Sequence, residues 1–127
     1  MIATHLADAS ALAQLSRSDV AARLVPLIVG GGAATCGITD LELLTAFGAD
    51  ERDAVAAERR AFVRVPVDDA VLDRAIAVQR QLPGRVRILA LVVAAAAERA
   101  GLVLLHDDDV YEEIAAVTGQ PTERAVA

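Results

Sequence analysis

The chain has 127 residues, 55% of them hydrophobic, and a formal net charge of −6. This length and composition indicate one folded domain over residues 1–127 and exclude a disordered or low-complexity chain. All 12 basic residues are arginine, Cys36 is the single cysteine and there are two histidines, which excludes a lysine-containing phosphate loop, Schiff-base chemistry, an intramolecular disulfide and a four-ligand zinc site.

The hydrophobic pattern alternates short strands with helices. In chain order it predicts a strand at 2–7, helices at 9–15 and 20–29, a strand at 33–36, helices at 39–47 and 50–62, a strand at 63–65, helices at 69–81 and 88–100, a strand at 102–105, a helix at 109–118 and a short tail. In the charged helix at 50–62, we expect Arg52, Glu58 and Arg59 to face outward. This alternation predicts an α/β fold with a short parallel sheet of about four to five strands and helices on both faces.

Three local patterns exclude other classes of protein. The glycines at 30–32 follow a helix and precede a strand, the reverse of the dinucleotide-binding order, so we interpret them as a helix end and expect no nucleotide cofactor. The longest apolar run, at 88–97, is half the roughly 20 residues that a membrane span needs, so we interpret it as a buried helix. The N-terminus lacks the features of a signal peptide, and we expect a cytoplasmic protein without a membrane partner.

Acidic residues follow three of the predicted strands. Asp8 ends the first strand, Glu42 lies in the opening turns of the helix after the second, and residues 107–109 (three aspartates) follow the strand at 102–105. The carboxyl ends of parallel strands meet at one edge of the sheet, where ligands bind. Ligands that are all oxygen suit Mg²⁺ or Mn²⁺. The sequence therefore predicts a divalent-metal site at this edge.

Each acid also has a purely structural interpretation. Asp8 could cap the helix that follows it. Thr39 and Glu42 have the spacing of a capping box, and the aspartates at 107–109 could form a solvated turn and a helix cap. His106 fits a strand-end residue that pairs locally, and Cys36 fits a small core residue.

Three short segments carry these acids. Residues 6–12 read LADASAL, residues 34–44 read ATCGITDLELL and residues 104–115 read LLHDDDVYEEIA. In this order and spacing they resemble the motifs of PIN-domain ribonucleases, especially the VapC-type toxins of toxin–antitoxin pairs. The resemblance runs over nearly the whole chain and implies a three-layer α/β/α sandwich.

The resemblance also implies a function and a site. It implies a homodimeric endoribonuclease that depends on Mg²⁺ (or Mn²⁺), cleaves RNA by attack of a metal-activated water on a phosphodiester, and is neutralised by a cognate VapB-like antitoxin. The catalytic and metal-binding roles fall on Asp8, Glu42 and Asp108. The hydroxyl of Ser10 would support Asp8 by orienting its carboxylate or a bound water.

Two features of the helix at 88–100 qualify this expectation. The family's third acid position falls on Ala90, and no Asp or Glu lies between Asp73 and Glu98 to replace it. Arg85 and Arg87 precede the helix, where they could contact RNA phosphates or lie in a merely solvated loop. Two hypotheses therefore stand: an active ribonuclease toxin, or a catalytically degenerate PIN-fold protein that acts through dimerisation and antitoxin binding.

Two further classes of similar size fit the sequence poorly. A phosphorelay receiver domain also has acids at strand ends, but it needs a lysine at the end of a late strand. A Ser–His–Asp hydrolase of the α/β type needs a serine in a G-x-S-x-G turn, and no serine here lies in that motif.

Overall fold

The computed structural model describes residues 2–126 as five strands and seven helices. In chain order they are β1 (His5–Ala7), α1 (Ala9–Leu12), α2 (Ser18–Val29), β2 (Ala33–Thr35), α3 (Gly37–Leu44), α4 (Ala49–Arg59), β3 (Val63–Arg64), α5 (Asp69–Gln79), α6 (Ile88–Arg99), β4 (Val103–His106), α7 (Val110–Thr118) and β5 (Thr122–Arg124). The alternation of strands and helices predicted from the sequence is confirmed.

The strands form one sheet in the order β3-β2-β1-β4-β5, and every neighbouring pair is parallel. The central strand β1 places Leu6 beside Ala34 of β2 and Leu104 of β4. Each parallel pair needs a crossover connection, which the helices provide. The ends of β1, β2 and β4 therefore lie side by side at one edge of the sheet.

Alternate residues of the strands face two separate cores. On one face, Leu6 and Leu104 pack with buried residues of α5, α6 and α7. On the other, Ala7 and Leu105 pack with buried residues of α1 and α2. This period of two is the pleat of the strands, and it confirms the α/β fold with helices on both faces.

Three predictions about the fold were wrong. The expected tail after residue 118 contains β5, which pairs with β4 at Leu104 and Thr122; its sequence, Thr-Glu-Arg, lacks the apolar pattern of a strand because β5 is a polar edge strand. The apolar run at 88–97 is buried only from Ala90 onward, since Ile88 remains 70% exposed at the start of α6.

Arg59 is also buried rather than outward-facing, with 6% of its surface exposed. Its guanidinium donates hydrogen bonds to Asp40 and Thr35 and lies 4.0 Å from the centre of the Phe62 ring. These partners lie outside α4 and compensate the buried charge of Arg59. The residue pattern of α4 by itself therefore could not predict that Arg59 is buried. Within residues 2–126, no helix combines the length and the apolar character needed to cross a bilayer.

Candidate functional site

The sheet brings the three predicted acids to neighbouring strand ends. Asp8 follows β1 directly, Asp108 lies two residues after β4, and Glu42 lies in the second turn of α3, which follows β2. The backbone N–H of Asp8 donates to the carbonyl of Leu105 at 2.9 Å, so the ends of β1 and β4 are held together. The acids converge because β1 lies between β2 and β4.

Asp8 is buried, with 3% of its surface exposed. Its Oδ2 accepts hydrogen bonds from the Ser10 N–H at 3.2 Å and the Ser10 hydroxyl at 2.9 Å, so Asp8 is the N-cap of α1. Its Oδ1 is buried without a hydrogen-bond partner in the described part of the chain. Asp8 therefore caps a helix with one oxygen and leaves the other available, so its structural and functional interpretations are compatible.

Ser10 connects the ends of two strands. Its hydroxyl donates to Asp8 Oδ2 and accepts the backbone N–H of Asp107 at 3.0 Å. Both capacities of the hydroxyl are used within the protein, which fixes its rotamer. This side chain therefore holds the Asp8 carboxylate in position against the end of β4.

Glu42, like Asp8, has a buried carboxylate oxygen that is unpaired in the described chain. Its Oε1 is buried without a partner among residues 2–126. Burial raises the pKa of Glu42, the negative charges of Asp8 and Asp108 add to this effect, and the positive charge of Arg87 opposes it. The capping-box interpretation of Thr39 and Glu42 is wrong, because the N-cap of α3 is Cys36 and Thr39 is fully buried.

Asp108 differs from the other two acids because both of its carboxylate oxygens have partners. Oδ1 accepts the Val110 N–H at 3.0 Å, and Oδ2 accepts Nη1 of Arg87 at 2.9 Å. Arg87 is the residue that precedes the first turn of α6. The arginine that the sequence suggested as an RNA contact therefore forms an ion pair with the third acid.

The other two aspartates of the run turn away from this centre. Asp107 accepts a hydrogen bond from Gln14 at 3.2 Å, and Asp109 pairs with Arg124 of β5. Ala90 is fully buried in the first turn of α6. Arg85 is exposed and lines a groove with Leu82 and Val86, apart from the three acids. Within the described chain, no Asp or Glu side chain occupies the place of the acid that is missing at position 90.

Two residues next to the acids had no functional prediction from the sequence. His106 is fully buried and accepts the Asp108 N–H on Nδ1, so the proton lies on Nε2, which faces Glu112 at 2.8 Å. The buried hydroxyl of Tyr111 makes no hydrogen bond of normal geometry in residues 2–126, but it lies close to the Asp8 carboxylate. Burial raises the pKa of Tyr111, and the charge of Asp8 and a side-chain hydrogen bond to Asp8 add to this effect. The sequence signal that could have identified Tyr111 is an aromatic residue three positions after Asp108.

A second polar cluster, which we call the Asp40 cluster (Thr35, Asp40, Arg59 and Arg64), lies on the other side of α3. Asp40 accepts Nε of Arg59 and the hydroxyl of Thr35 through Oδ1 at 2.9 and 2.8 Å, and Oδ2 lies 3.5 Å from Arg64. The cluster borders an open cavity of about 390 Å³ that also contacts Phe62 and Arg60. All of its buried charges are paired.

The metal interpretation can be tested against these contacts. Within residues 2–126, no group of three or more His, Cys, Asp and Glu side chains is close enough together to hold a metal ion. The unpaired buried oxygens of Asp8 and Glu42 fit a divalent cation, which carboxylates bind through oxygen. Asp108 offers no unpaired oxygen in this arrangement. The buried oxygens that are free to bind a cation therefore belong to two of the three acids, Asp8 and Glu42.

Comparison with known proteins identifies the domain family of this chain. The family model for the PIN domain matches residues 6–117. Ribonuclease VapC18 of Mycobacterium tuberculosis is 38% identical over 124 residues, which cover 91% of this chain and 90% of that protein. Ribonuclease VapC21 of the same species is 37% identical and covers 100% of this chain and 97% of that protein.

Solved structures with the same fold agree with this result. The crystal structure of DNA-bound VapBC from Salmonella typhimurium superposes with a TM-score of 0.77, at 16% identity, over 97% of this chain and 98% of that chain. At this identity the match concerns the fold alone. Together with the sequence relatives, it confirms the resemblance that the three motifs indicated.

Proposed function

The chain belongs to the PIN domain family, and from this premise we propose that it is a divalent-metal-dependent endoribonuclease of the VapC type. Its curated relatives are named ribonucleases and align with it over at least 90% of each chain. The observation that carries the proposal is the pair of buried, unpaired carboxylate oxygens on Asp8 and Glu42 at neighbouring strand ends. Such oxygens are costly to bury unless a hydrogen-bond donor or a cation pairs with them.

Each residue of the site has a distinct role in this proposal. Asp8 and Glu42 hold Mg²⁺ or Mn²⁺ through their unpaired oxygens, and Asp108 is the third acid of the centre. Ser10 orients Asp8 through its 2.9 Å hydrogen bond. A bound divalent cation would lower the pKa of a water for attack on a phosphodiester. The burial of Asp8 keeps bulk water from screening this interaction.

The partners follow from the same family. We propose that the protein acts on RNA in the cytoplasm, forms a homodimer and is neutralised by a cognate VapB-like antitoxin. The fold matches VapBC toxin–antitoxin structures over nearly its whole length, which supports an antitoxin partner. The RNA reaches the acids at the carboxyl edge of the sheet, where the exposed Arg87 adds positive charge to an acidic protein, and the exposed Arg85 in the groove with Leu82 and Val86 is a second proposed phosphate contact.

One observation favours a second candidate function. Ala90 is buried in α6 where the family motif has an acid, and no described acid replaces it. A catalytically degenerate PIN-fold protein that acts through dimerisation and antitoxin binding would need no such acid. The two functions differ in whether the chain cleaves RNA by itself.

The test is RNA cleavage by the purified chain, freed of any antitoxin, with Mg²⁺ or Mn²⁺. We compare the wild type with Ala90→Asp, with Ala90→Asn as the control of equal size without the charge. The Asp8→Asn variant keeps the helix cap, so its expected loss of at least about 100-fold in kcat/KM reports the cation site. Thermal unfolding of each variant checks that it is folded.

Each outcome decides between the candidates. Cleavage by the wild type that depends on metal and on Asp8 supports the nuclease. Cleavage only after Ala90→Asp supports the degenerate protein, with the site correctly located. No cleavage by any folded variant, including Ala90→Asp, would contradict the nuclease proposal.

A further inference from the structure

We propose that Arg87 supplies the second positive charge of this site: it is the fixed counter-ion of Asp108, and the chain holds a single divalent cation on Asp8 and Glu42. The inference rests on the cation site of the proposed function. It deepens that proposal, because it assigns a role to Arg87 and predicts how many metal ions the chain binds.

The contacts of the three acids support this division of roles. Asp8 and Glu42 each have a buried oxygen without a partner in residues 2–126. The Asp108 carboxylate has none, because Arg87 donates to Oδ2 at 2.9 Å and the Val110 N–H donates to Oδ1 at 3.0 Å. A cation that used Asp108 as a ligand would share each oxygen with one of these donors and would lie beside the positive charge of Arg87.

The backbone explains why Arg87 reaches Asp108. Arg87 has non-helical dihedral angles (φ −57°, ψ 133°) immediately before α6, and its side chain makes no capping hydrogen bond. Its guanidinium is therefore available to cross from α6 to the end of β4. Its charge also acts on Glu42, where it opposes the effect of burial on the pKa. Arg87 thus belongs electrostatically to the same centre as all three acids.

The charge of the site agrees with one cation. Asp8, Glu42 and Asp108 with one guanidinium leave a formal charge of −2, which one divalent cation neutralises and a second would overcompensate. Ala90 acts in the same direction, because an acid there would have made the site more negative and more suited to a second ion. The absence of an acid at position 90 and the presence of Arg87 therefore both favour a single cation.

Arg87 also has a second role in this proposal, beyond neutralising Asp108. Its side chain is 52% exposed, so its outer face is open to a ligand that approaches the edge of the sheet. A guanidinium binds phosphate oxygens with two parallel hydrogen bonds. We expect the same side chain to contact the phosphate that lies at the cation, which makes it a catalytic residue rather than a structural one.

The test measures Mn²⁺ binding to the purified full chain by titration calorimetry, in the wild type and three variants. We expect one Mn²⁺ per wild-type chain. Arg87→Met should tighten binding by about tenfold, because it removes a positive charge and frees Asp108, whereas Asp8→Asn should weaken it by at least about 100-fold. Asp108→Asn should weaken binding by no more than about tenfold, because it removes a nearby negative charge but not a principal ligand.

Arg99→Met is the matched control. It makes the same change in net charge at the other end of α6, about 18 Å from Arg87 along the helix, and should leave the affinity unchanged. Equal tightening by Arg99→Met would overturn the inference, because the effect would then be one of overall charge. Unchanged or weaker binding in Arg87→Met would also overturn it, as would a loss in Asp108→Asn as large as in Asp8→Asn.

RNA cleavage by the same variants separates this inference from the nuclease proposal. We expect Arg87→Met to cleave RNA at least about tenfold more slowly although it binds Mn²⁺ more tightly, a split that a merely structural role would not produce. Metal-dependent cleavage without any effect of Arg87→Met on Mn²⁺ binding overturns the inference alone. Tighter binding in Arg87→Met without cleavage by any variant overturns the nuclease alone, and absence of Mn²⁺ binding to both proteins overturns the inference.

Discussion

Asp40 and Glu42 lie two residues apart on α3, and their environments are opposite. At 100° per residue the two side chains leave the helix on nearly opposite sides. Asp40 joins Arg59, Arg64 and Thr35, and every contact of its carboxylate is with a side chain of the protein itself. The charges of Asp8 and Asp108 add to the raised pKa of Glu42, which retains a buried oxygen without a partner in the described chain.

The difference separates a partly buried acid whose charge is balanced within the protein from one whose charge is not. Both acids are partly buried on one helix, so burial alone does not separate them. The charge of Asp40 is balanced by buried Arg59, whereas the nearest charged neighbours of Glu42 include two more carboxylates. A buried carboxylate with an unpaired oxygen near other carboxylates lowers the stability of the folded state, and a bound cation would remove this cost.

The largest expected effect comes from breaking the Asp40 cluster. Asp40→Ala leaves the Arg59 guanidinium buried without its counter-ion and should cost about 3–5 kcal/mol of unfolding free energy. Urea denaturation measures this loss. The double variant Asp40→Leu with Arg59→Met is the control, since replacing the whole pair by apolar side chains should recover most of the stability. A loss below about 1 kcal/mol in Asp40→Ala would show that the pair is not a structural requirement.

We expect an intermediate effect from Ser10, which positions Asp8 in the candidate cation site. Ser10→Ala removes hydrogen bonds to Asp8 and to the Asp107 N–H. We expect RNA cleavage and Mn²⁺ affinity to fall by about tenfold, the typical effect of losing a group that orients a metal ligand. Stability should fall by only about 1 kcal/mol. If kcat/KM stayed within about twofold of the wild type, the positioning role of Ser10 would be contradicted.

The smallest effect concerns the stability cost of Glu42 itself. Its raised pKa means that the folded state binds the proton more tightly than the unfolded chain, so stability is lost as pH rises from the unfolded pKa of about 4.3 through the folded value. Without metal, Glu42→Gln should therefore melt at a higher temperature than the wild type at neutral pH. The difference should disappear in acid, where both side chains are uncharged.

Added Mn²⁺ provides the complementary measurement for Glu42. The ion should raise the melting temperature of the wild type, because it binds only the folded state, and should do little for Glu42→Gln. A Glu42→Gln variant that melts below the wild type at neutral pH without metal would contradict the interpretation of Glu42 as an uncompensated acid. Asp40→Asn is the comparison, because that substitution should destabilise the protein at the same pH.

Much of the fold could be predicted from the sequence because its elements have strong local periods. The strands β1 and β4 alternate between two cores, and α6 carries an apolar run whose buried part, Ala90 to Ala97, is continuous. The edge strand β5 was missed because a polar three-residue strand has no such pattern. The burial of Arg59 was missed because its partners lie up to 24 residues away in the chain.

The sequence by itself determined the parallel α/β architecture and the positions of Asp8, Glu42 and Asp108 at neighbouring strand ends, since parallel strands necessarily bring their carboxyl ends to one edge. Only the tertiary structure decided how these acids differ. Arg87 pairs with Asp108 across 21 residues, and Ser10 pairs with the Asp107 backbone across 97. Local periodicity specifies which face of an element is buried, but it carries no information about which distant side chain meets a given oxygen, and that pairing decides where a cation can bind.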